Sequence, residues 1–216
     1  IQAHYGAPER LLGSGTGGSV YLHQPNYNAF HSSPTPSYAV KIFSPAASAN
    51  PTHATHLVQR LEEEARLGRA LQHPNIIRTF DYVQEANGTY YSVMEYCPRD
   101  MFDMVESGAL TPADIDCYFV QLLHGVHHMH SEGMAHRDLK LDNVCLSETG
   151  QVKIIDFGCT TAFDRFAPAA SGVCGSDPYI APEVFHNDEY DPRKADVWAL
   201  AVILLSMMSN HFPWEV

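Results

Sequence analysis

Basic residues are scarce in this 216-residue chain: 13 Lys and Arg stand against 25 Asp and Glu, for a formal net charge of −12. No Lys/Arg cluster occurs anywhere along it. An acidic chain without a basic patch repels phosphate backbones, which argues against nucleic acid as a partner. Long hydrophobic runs are missing too. The longest nearly apolar stretch, Val197 to Met208, falls short of the ~20 residues a membrane helix needs and reads as a buried core helix, so no membrane insertion is expected. The N-terminus has neither a basic n-region nor an apolar h-region, so no secretory signal is visible, and a start at Ile1 without Met reads as a piece of something longer. Cysteine is sparse: five residues (Cys97, Cys117, Cys145, Cys159, Cys174), odd in number and without CxxC spacing. That pattern fits free thiols in a reduced, cytoplasmic protein better than a disulfide framework or a zinc ribbon.

What is present suffices for a core: 45% of residues are hydrophobic and 11% aromatic, enough for one domain or two small lobes. The first part reads as strands and turns. Arg10 to Leu12, Val20 to Leu22 and Tyr38 to Phe43 are β-rich, with Gly13-Ser14-Gly15-Thr16-Gly17-Gly18 between the first two. His23 to Ser37 and Ser44 to His56, rich in Pro, Ser, Asn and His, are expected to be loops. Leu57 to Leu71 carries apolar residues at helical spacing, with Glu62, Glu63 and Glu64 early and Arg66 and Arg69 late, and Pro74 follows. Ile76 to Tyr82 and Thr89 to Tyr96 read as strands joined by a turn at Asn87-Gly88. Beyond a boundary near Cys97 to Arg99 the pattern turns helical, with a helix from Pro112 to Ser131 capped by Thr111 and the apolar helix near the end.

The chemistry sits in short motifs. Gly13-x-Gly15-x-x-Gly18-x-Val20 is a glycine-rich turn whose amides can approach phosphate oxygens, and a flexible hairpin would look the same. Tyr38-Ala39-Val40-Lys41 puts an ammonium in an apolar strand, where it needs a partner or must snorkel to solvent. Glu64 is the preferred partner because it lies on the helix side facing the sheet. His136-Arg137-Asp138-Leu139-Lys140-Leu141-Asp142-Asn143 is followed by Asp156-Phe157-Gly158 and by Ala181-Pro182-Glu183. These are known protein-kinase signatures in their usual order.

Residues ~10 to 216 therefore resemble a eukaryotic-type serine/threonine protein kinase catalytic domain, a two-lobed α+β fold with a β-rich lobe over 1–97 and a mostly helical lobe over 98–216. The resemblance implies ATP and Mg²⁺ as cofactors and Ser/Thr hydroxyls of protein substrates as acceptors. It implies that Gly13, Gly15 and Gly18 cover the ATP phosphates, that Lys41 binds the α/β-phosphates and pairs with Glu64, and that Val20 and Ala39 contact the adenine. Met94 would be the gatekeeper, Glu95 to Cys97 the hinge, Asp100 a ribose contact, and Cys145 would lie beneath the adenine. Asp138 would be the catalytic base, Lys140 a γ-phosphate contact, and Asn143 and Asp156 the Mg²⁺ ligands. Met94-Glu95-Tyr96-Cys97-Pro98, Gly175-Ser176-Asp177-Pro178-Tyr179 and Tyr190-Asp191-Pro192-Arg193 resemble more narrowly the fungal halotolerance and nitrogen-permease-reactivator kinases, which implies regulation of plasma-membrane transporters.

Two departures from the family stand out. Gly68 occupies a place where many kinases carry a large apolar residue, and the chain stops before the last helices, with the Arg that normally pairs with Glu183. A non-catalytic ATP-binding scaffold or inactive kinase fragment is the alternative that this shortening supports. His124, His127, His128 and His130 share one helix, with ordinary surface histidines preferred over a metal set. Cys159 is expected to be a small buried hydrophobe. Arg137 implies an anionic partner on the activation segment, with Ser171 as the expected phosphosite. Asp100, Asp103 and Asp142 imply a preference for basic peptide substrates.

Overall fold

The structure, a computed structural model, describes residues 1–15, 18–25, 36–45 and 51–214. The chain divides into two compact units: Ile1–Gln72 with Ile77–Tyr96, and His73–Ile76 with Cys97–Val216.

The first unit is an antiparallel sheet with a helix against it. A short helix α1 (Gln2–Tyr5) leads into β1 (Pro8–Gly15), β2 (Gly18–His23) and β3 (Tyr38–Phe43); α2 (Pro51–Ala70), β4 (Thr79–Gln84) and β5 (Tyr90–Glu95) follow. The strand order is β1-β2-β3-β5-β4. Register determines which side chains share a face. Val20 stands opposite Lys41 and Leu22 opposite Ala39, while on the other side of β3 Lys41 faces Ser92 and Ala39 faces Met94. Directly opposed residues point to the same side of a sheet, and so do residues two apart on one strand. Val20, Ala39, Lys41 and Met94 therefore line one face.

Helix α2 begins at Pro51, not Leu57, so Ser44 to His56 is only partly a loop: Pro has its φ preset for a first helical turn and lacks the N–H that such a turn leaves unbonded. The remainder of the two expected loops, residues 26–35 and 46–50, lies outside the described residues, as does the hairpin tip Thr16-Gly17. Leu57, Leu61, Ala65 and Leu67 are all buried, and the first two pack with Phe43. The strand expected from Ile76 starts only at Thr79. Ile76 instead forms a lone parallel bridge to Ile154 in the second unit, to which it belongs, and is buried. The Asn87-Gly88 turn is present, with Gly88 at φ +80°.

The second unit opens with β6 (Arg99–Asp100), α3 (Met101–Glu106) and α4 (Pro112–Ser131). Then come β7 (Met134–Ala135), a 3₁₀ turn (Leu141–Asn143), β8 (Val144–Leu146), β9 (Val152–Ile154), β10 (Thr161–Ala162), β11 (Ala170–Ser171), α5 (Pro182–His186), β12 (Glu189–Tyr190) and α6 (Pro192–Ser209). Thr111 and Asp114 cap α4 reciprocally, so two of the unbonded first-turn amides are satisfied from the sequence itself. Its buried stripe of Ile115, Leu122, Val126 and Met129 packs toward β9 and α6. Gly125 lies on that stripe because a Cβ there would stand 3.0 Å from the Asn75 carbonyl oxygen and closer still to Ile154. The apolar helix starts earlier than its hydrophobic run, at Pro192, because Asp191 caps it by accepting from the Arg193 amide. No helix among the described residues is long and apolar enough to cross a membrane.

The free-thiol expectation fails for one pair. Cys159 and Cys174 form a disulfide with Cα atoms 6.2 Å apart, and Cys159 is half-buried, not a core residue. The chain turns back on itself over a separation of 15 residues, so the pairing is a product of the fold and leaves no signature in local spacing. Cys97, Cys117 and Cys145 lie outside any disulfide.

Candidate active site

In the first unit the expected ion pair is made. Lys41 Nζ on β3 donates to Glu64 on α2 at 2.7 Å (Oε2) and 3.0 Å (Oε1), with both side chains largely buried. Glu62 and Glu63 are exposed, and Glu63 binds Arg66 on the surface instead. A strand lysine held by a bidentate carboxylate is fixed in place, and its remaining N–H can meet another anion. Gly13 and Gly15 lie on β1 and Gly18 opens β2, with Gly15 opposite Gly18 and Gly13 opposite Val20. Nothing approaches a Cβ built on Gly13, so its backbone is open to a ligand. Gly18 is glycine for a different reason: its φ is +111° and a Cβ would run into the Ile42 carbonyl. Met94 and Glu95 are half-buried at the end of β5, where the Glu95 amide donates to Arg78 O.

In the second unit Cys97 is half-buried and Asp100 caps α3 by accepting from the Asp103 amide at 2.8 Å. Asp100 stands opposite Cys145 in the β6–β8 pair. Burial, with Asp100 adding to it, pushes the Cys145 thiol up to about 12, so it is a neutral, apolar surface.

The loop from His136 to Asn143 converges on Asp138. Its Oδ1 accepts from Ser176 Oγ at 2.9 Å; its Oδ2 lies 3.3 Å from Asn143 Nδ2 and 3.4 Å from Lys140 Nζ. Lys140 also donates to Ser176 Oγ at 2.8 Å. Asn143 Nδ2 donates to the Asp138 carbonyl at 2.8 Å as well, so the amide's donor end is turned to Asp138 and its oxygen is the atom with lone pairs to offer a cation. Asp156 is exposed at φ +63° and accepts from the Gly158 amide, while the Ile155 amide donates to Asn143 O. One amide oxygen just before β8 and one carboxylate just after its partner β9 are the hard oxygen donors that Mg²⁺ prefers, so the residues fit that ion.

Several partners of this site carry no motif of their own. Asp196, fully buried near the start of α6, accepts from the His136 amide (2.9 Å), the Arg137 amide (2.8 Å) and His130 Nε2 (2.8 Å). It holds Arg137 at φ +66°, a conformation few non-glycine residues adopt. A single Asp directly before the apolar run of that helix is the sequence signal that could have marked it. His136 is completely buried. Its Nε2–H donates to Ile155 O, its Nδ1 accepts from the Asp138 amide, and its ring meets Phe157 edge-on. Ser176 lay within a quoted motif and only the structure gives it a role.

The Arg137 guanidinium is spread over three partners: it donates to the carbonyls of Ser171 (2.9 Å) and Gly172 (2.8 Å) and to Tyr190 Oη (2.9 Å). The helix histidines are likewise dispersed: His130 turns to Asp196, His128 stacks on His73, and His124 and His127 are exposed. Among the described residues no group of three or more His, Cys, Asp and Glu could hold a metal ion. Beside Lys140 and Ser176 an open hollow of about 1260 Å³ is lined by Asp142, Asp177, Tyr179 and Phe212.

Residues 7–216 match the family model described as the protein kinase domain. The chain is 44% identical to the serine/threonine-protein kinase oca2 of Schizosaccharomyces pombe, covering 98% of this chain and 32% of that protein. It is 43% identical to the nitrogen permease reactivator protein of Saccharomyces cerevisiae (95% and 25%). It is 39% identical to the serine/threonine-protein kinase HAL4/SAT4 of the same yeast (98% and 36%). The chain thus spans about a third or less of the length of these relatives.

Proposed function

The chain belongs to the protein kinase domain family, and on that premise we propose that it transfers the γ-phosphate of ATP to Ser and Thr hydroxyls of protein substrates. The observation that carries this reading is the environment of Asp138. Its carboxylate is held by Ser176, Asn143 and Lys140, and two of these partners, Ser176 and Lys140, also line the hollow where an acceptor peptide would sit. In the proposed step a carboxylate oxygen of Asp138 takes the hydroxyl proton as the new O–P bond forms, and the bond from phosphorus to the bridging oxygen of ADP breaks. Lys140 supplies positive charge beside that oxygen, and the polarised Ser176 hydroxyl keeps the carboxylate oriented. Lys41, fixed by Glu64, is the cation for the non-transferred phosphates, and the open backbone at Gly13 can donate amides to them. Asn143 and Asp156 would hold Mg²⁺, which when bound neutralises phosphate charge and aligns the leaving group.

Val20, Ala39, Met94, Glu95, Cys97, Asp100 and Cys145 are the residues we assign to the nucleoside, on lobes taken as 1–97 and 98–216. Asp142 and Asp177, together at the hollow, support substrates with basic residues near the acceptor. One relative's name, nitrogen permease reactivator protein, supports a finer reading in which the phosphorylation regulates plasma-membrane transporters.

The test is Mg·ATP phosphate transfer to a basic Ser/Thr peptide library, with Asp138→Asn as control. Transfer that falls at least about 10²-fold in the variant is the expected result, since a general base contributes roughly that much or more. A folded chain that binds ATP and transfers nothing would overturn the reading in favour of a binding scaffold.

A further inference from the structure

The segment from Asp156 to Glu183 is tied across itself by the Cys159–Cys174 disulfide. At one end, Cys159 follows Gly158, whose amide donates to Asp156, and a tight turn closes there with the Thr160 amide on Phe157 O. At the other, Cys174 precedes Gly175, which lies so close to the catalytic loop that a Cβ would stand 2.9 Å from Arg137 O, and next comes Ser176 on Asp138. Noncovalent anchoring of the stretch between is confined to its two ends and one surface ion pair. A two-residue pairing of β10 with β7, the Phe163 amide on Gly133 O and the Phe163 ring against His130 and Arg193 hold one end; the Arg165–Glu132 pair follows; a two-residue pairing of β11 with β12 and the Arg137 and Tyr190 contacts to Ser171 and Gly172 hold the other. Phe166 is 99% exposed and Val173 60% exposed, so apart from Ala170, which packs with Ala181, Val184 and Tyr190, little apolar burial holds this stretch down. Both bridged cysteines are partly exposed, within reach of small oxidants and reductants.

We infer that Cys159 and Cys174 are a reversible redox modification site, whose bridge clips the metal-ligand end of the segment to its peptide-binding end and keeps Ser176 seated on Asp138. Bridge formation joins the two Sγ atoms as the pair gives up two electrons and two protons. A peroxide accepts them, its O–O bond breaking to leave two waters, and a dithiol reverses the step through a mixed disulfide. Every contact around Asp138 is in place with the bridge closed, so the oxidised form is the one organised for peptide binding. Reduction frees the segment to leave that arrangement, because a covalent closure of this length removes much of the loop's conformational freedom. This consequence for activity rests on the phosphotransfer reading; the bridge itself does not.

The experiment compares peroxide-treated and dithiol-treated protein, alkylated and digested without reduction. Mass spectrometry should find the Cys159 and Cys174 peptides joined and two hydrogens lighter after peroxide, and separately alkylated after dithiol. Trypsin cleavage of the folded protein at exposed Arg165 should be at least about tenfold faster in the reduced form, since local opening sets that rate. Peptide KM should be several-fold lower in the oxidised form with ATP KM unchanged, and Cys174→Ser should abolish both redox responses. Failure to obtain the joined peptides, equal Arg165 cleavage in the two forms, or a peptide KM that is equal or higher when oxidised would each overturn the inference. If neither form transfers phosphate, the functional reading fails, while the joined peptides and the Arg165 cleavage still decide the clamp.

Discussion

Replacing Asp196 with Ala should both unfold the second unit sooner and disable the catalytic loop. Asp196 is 1% exposed and accepts three hydrogen bonds, from the His136 amide, the Arg137 amide and His130. Truncation leaves the buried His136 N–H and the part-buried Arg137 N–H unbonded, at about 1–3 kcal/mol for a fully buried group. It also releases Arg137 from its left-handed φ of +66°, a conformation costing about 1–3 kcal/mol that persists only where its surroundings impose it. Removing the desolvated charge offsets part of the loss, so a net destabilisation of about 3–5 kcal/mol is expected, as for other broken buried networks. Against a total stability of about 5–15 kcal/mol that is a large fraction. With about 2–4 °C per kcal/mol for a chain of this size, Tm should fall by roughly 6–20 °C. Asp196→Asn keeps one acceptor oxygen and turns an NH₂ toward a donor, so its loss should be intermediate. The assay pairs scanning calorimetry with peptide phosphorylation well below the variant's Tm. There the rate should still fall at least about tenfold, because the Asp138 amide and side chain hang on the same loop. A Tm within about 2 °C of the parent and an unchanged rate would refute the argument, since the unbonded amides would then not cost what they must and the loop would not have moved.

Two further outcomes follow from packing and from titration. Gly125→Ala should lower stability by about 1–2 kcal/mol despite the better helix former, because the added Cβ meets the Asn75 carbonyl and Ile154, and overpacking outweighs the propensity gain of about 1 kcal/mol; a raised Tm would show that the α4–β9 contact yields freely. His23 is buried, with Nδ1–H donating to Gly6 O and Nε2 without a partner among the described residues, and desolvation holds its pKa below the ordinary 6.5. The unfolded chain then binds a proton that the folded one refuses, so this stability is complete above pH about 6.5 and lost as the pH falls toward the lowered value. His23→Gln, which can still donate to Gly6 O, should flatten the acid limb of Tm against pH between about 7.5 and 5.5, and parallel limbs in the two proteins would contradict the assignment.

Much of the site was legible because its chemistry is carried by residues close in sequence. Asp138, Lys140 and Asn143 lie within one tight turn, so their type and spacing already imply that their side chains meet. Thr111, Pro112 and Asp114 likewise announce the start of α4 by local hydrogen bonding alone. Glu64 was readable at longer range because helical periodicity puts it beside Ala65 and Leu67, on the side that faces the sheet. The start of α2 at Pro51 was hidden because polar, Pro-containing sequence suits a loop and a first helical turn equally.

What the sequence by itself determined, then, is the set of groups whose partners lie within a few residues or one period away. Only the tertiary structure decided the rest. Asp196 meets the amides of His136 and Arg137 some sixty residues back along the chain, and the Arg137 guanidinium meets the carbonyls of Ser171 and Gly172, 34 and 35 residues further on. Cys159 finds Cys174 because the segment folds back on itself. Backbone amides and carbonyls are the same at every position, so no side-chain pattern foretells which of them a distant carboxylate or guanidinium will bind. Likewise two cysteines fifteen residues apart bond or stay apart according to where the intervening chain carries their Cα atoms.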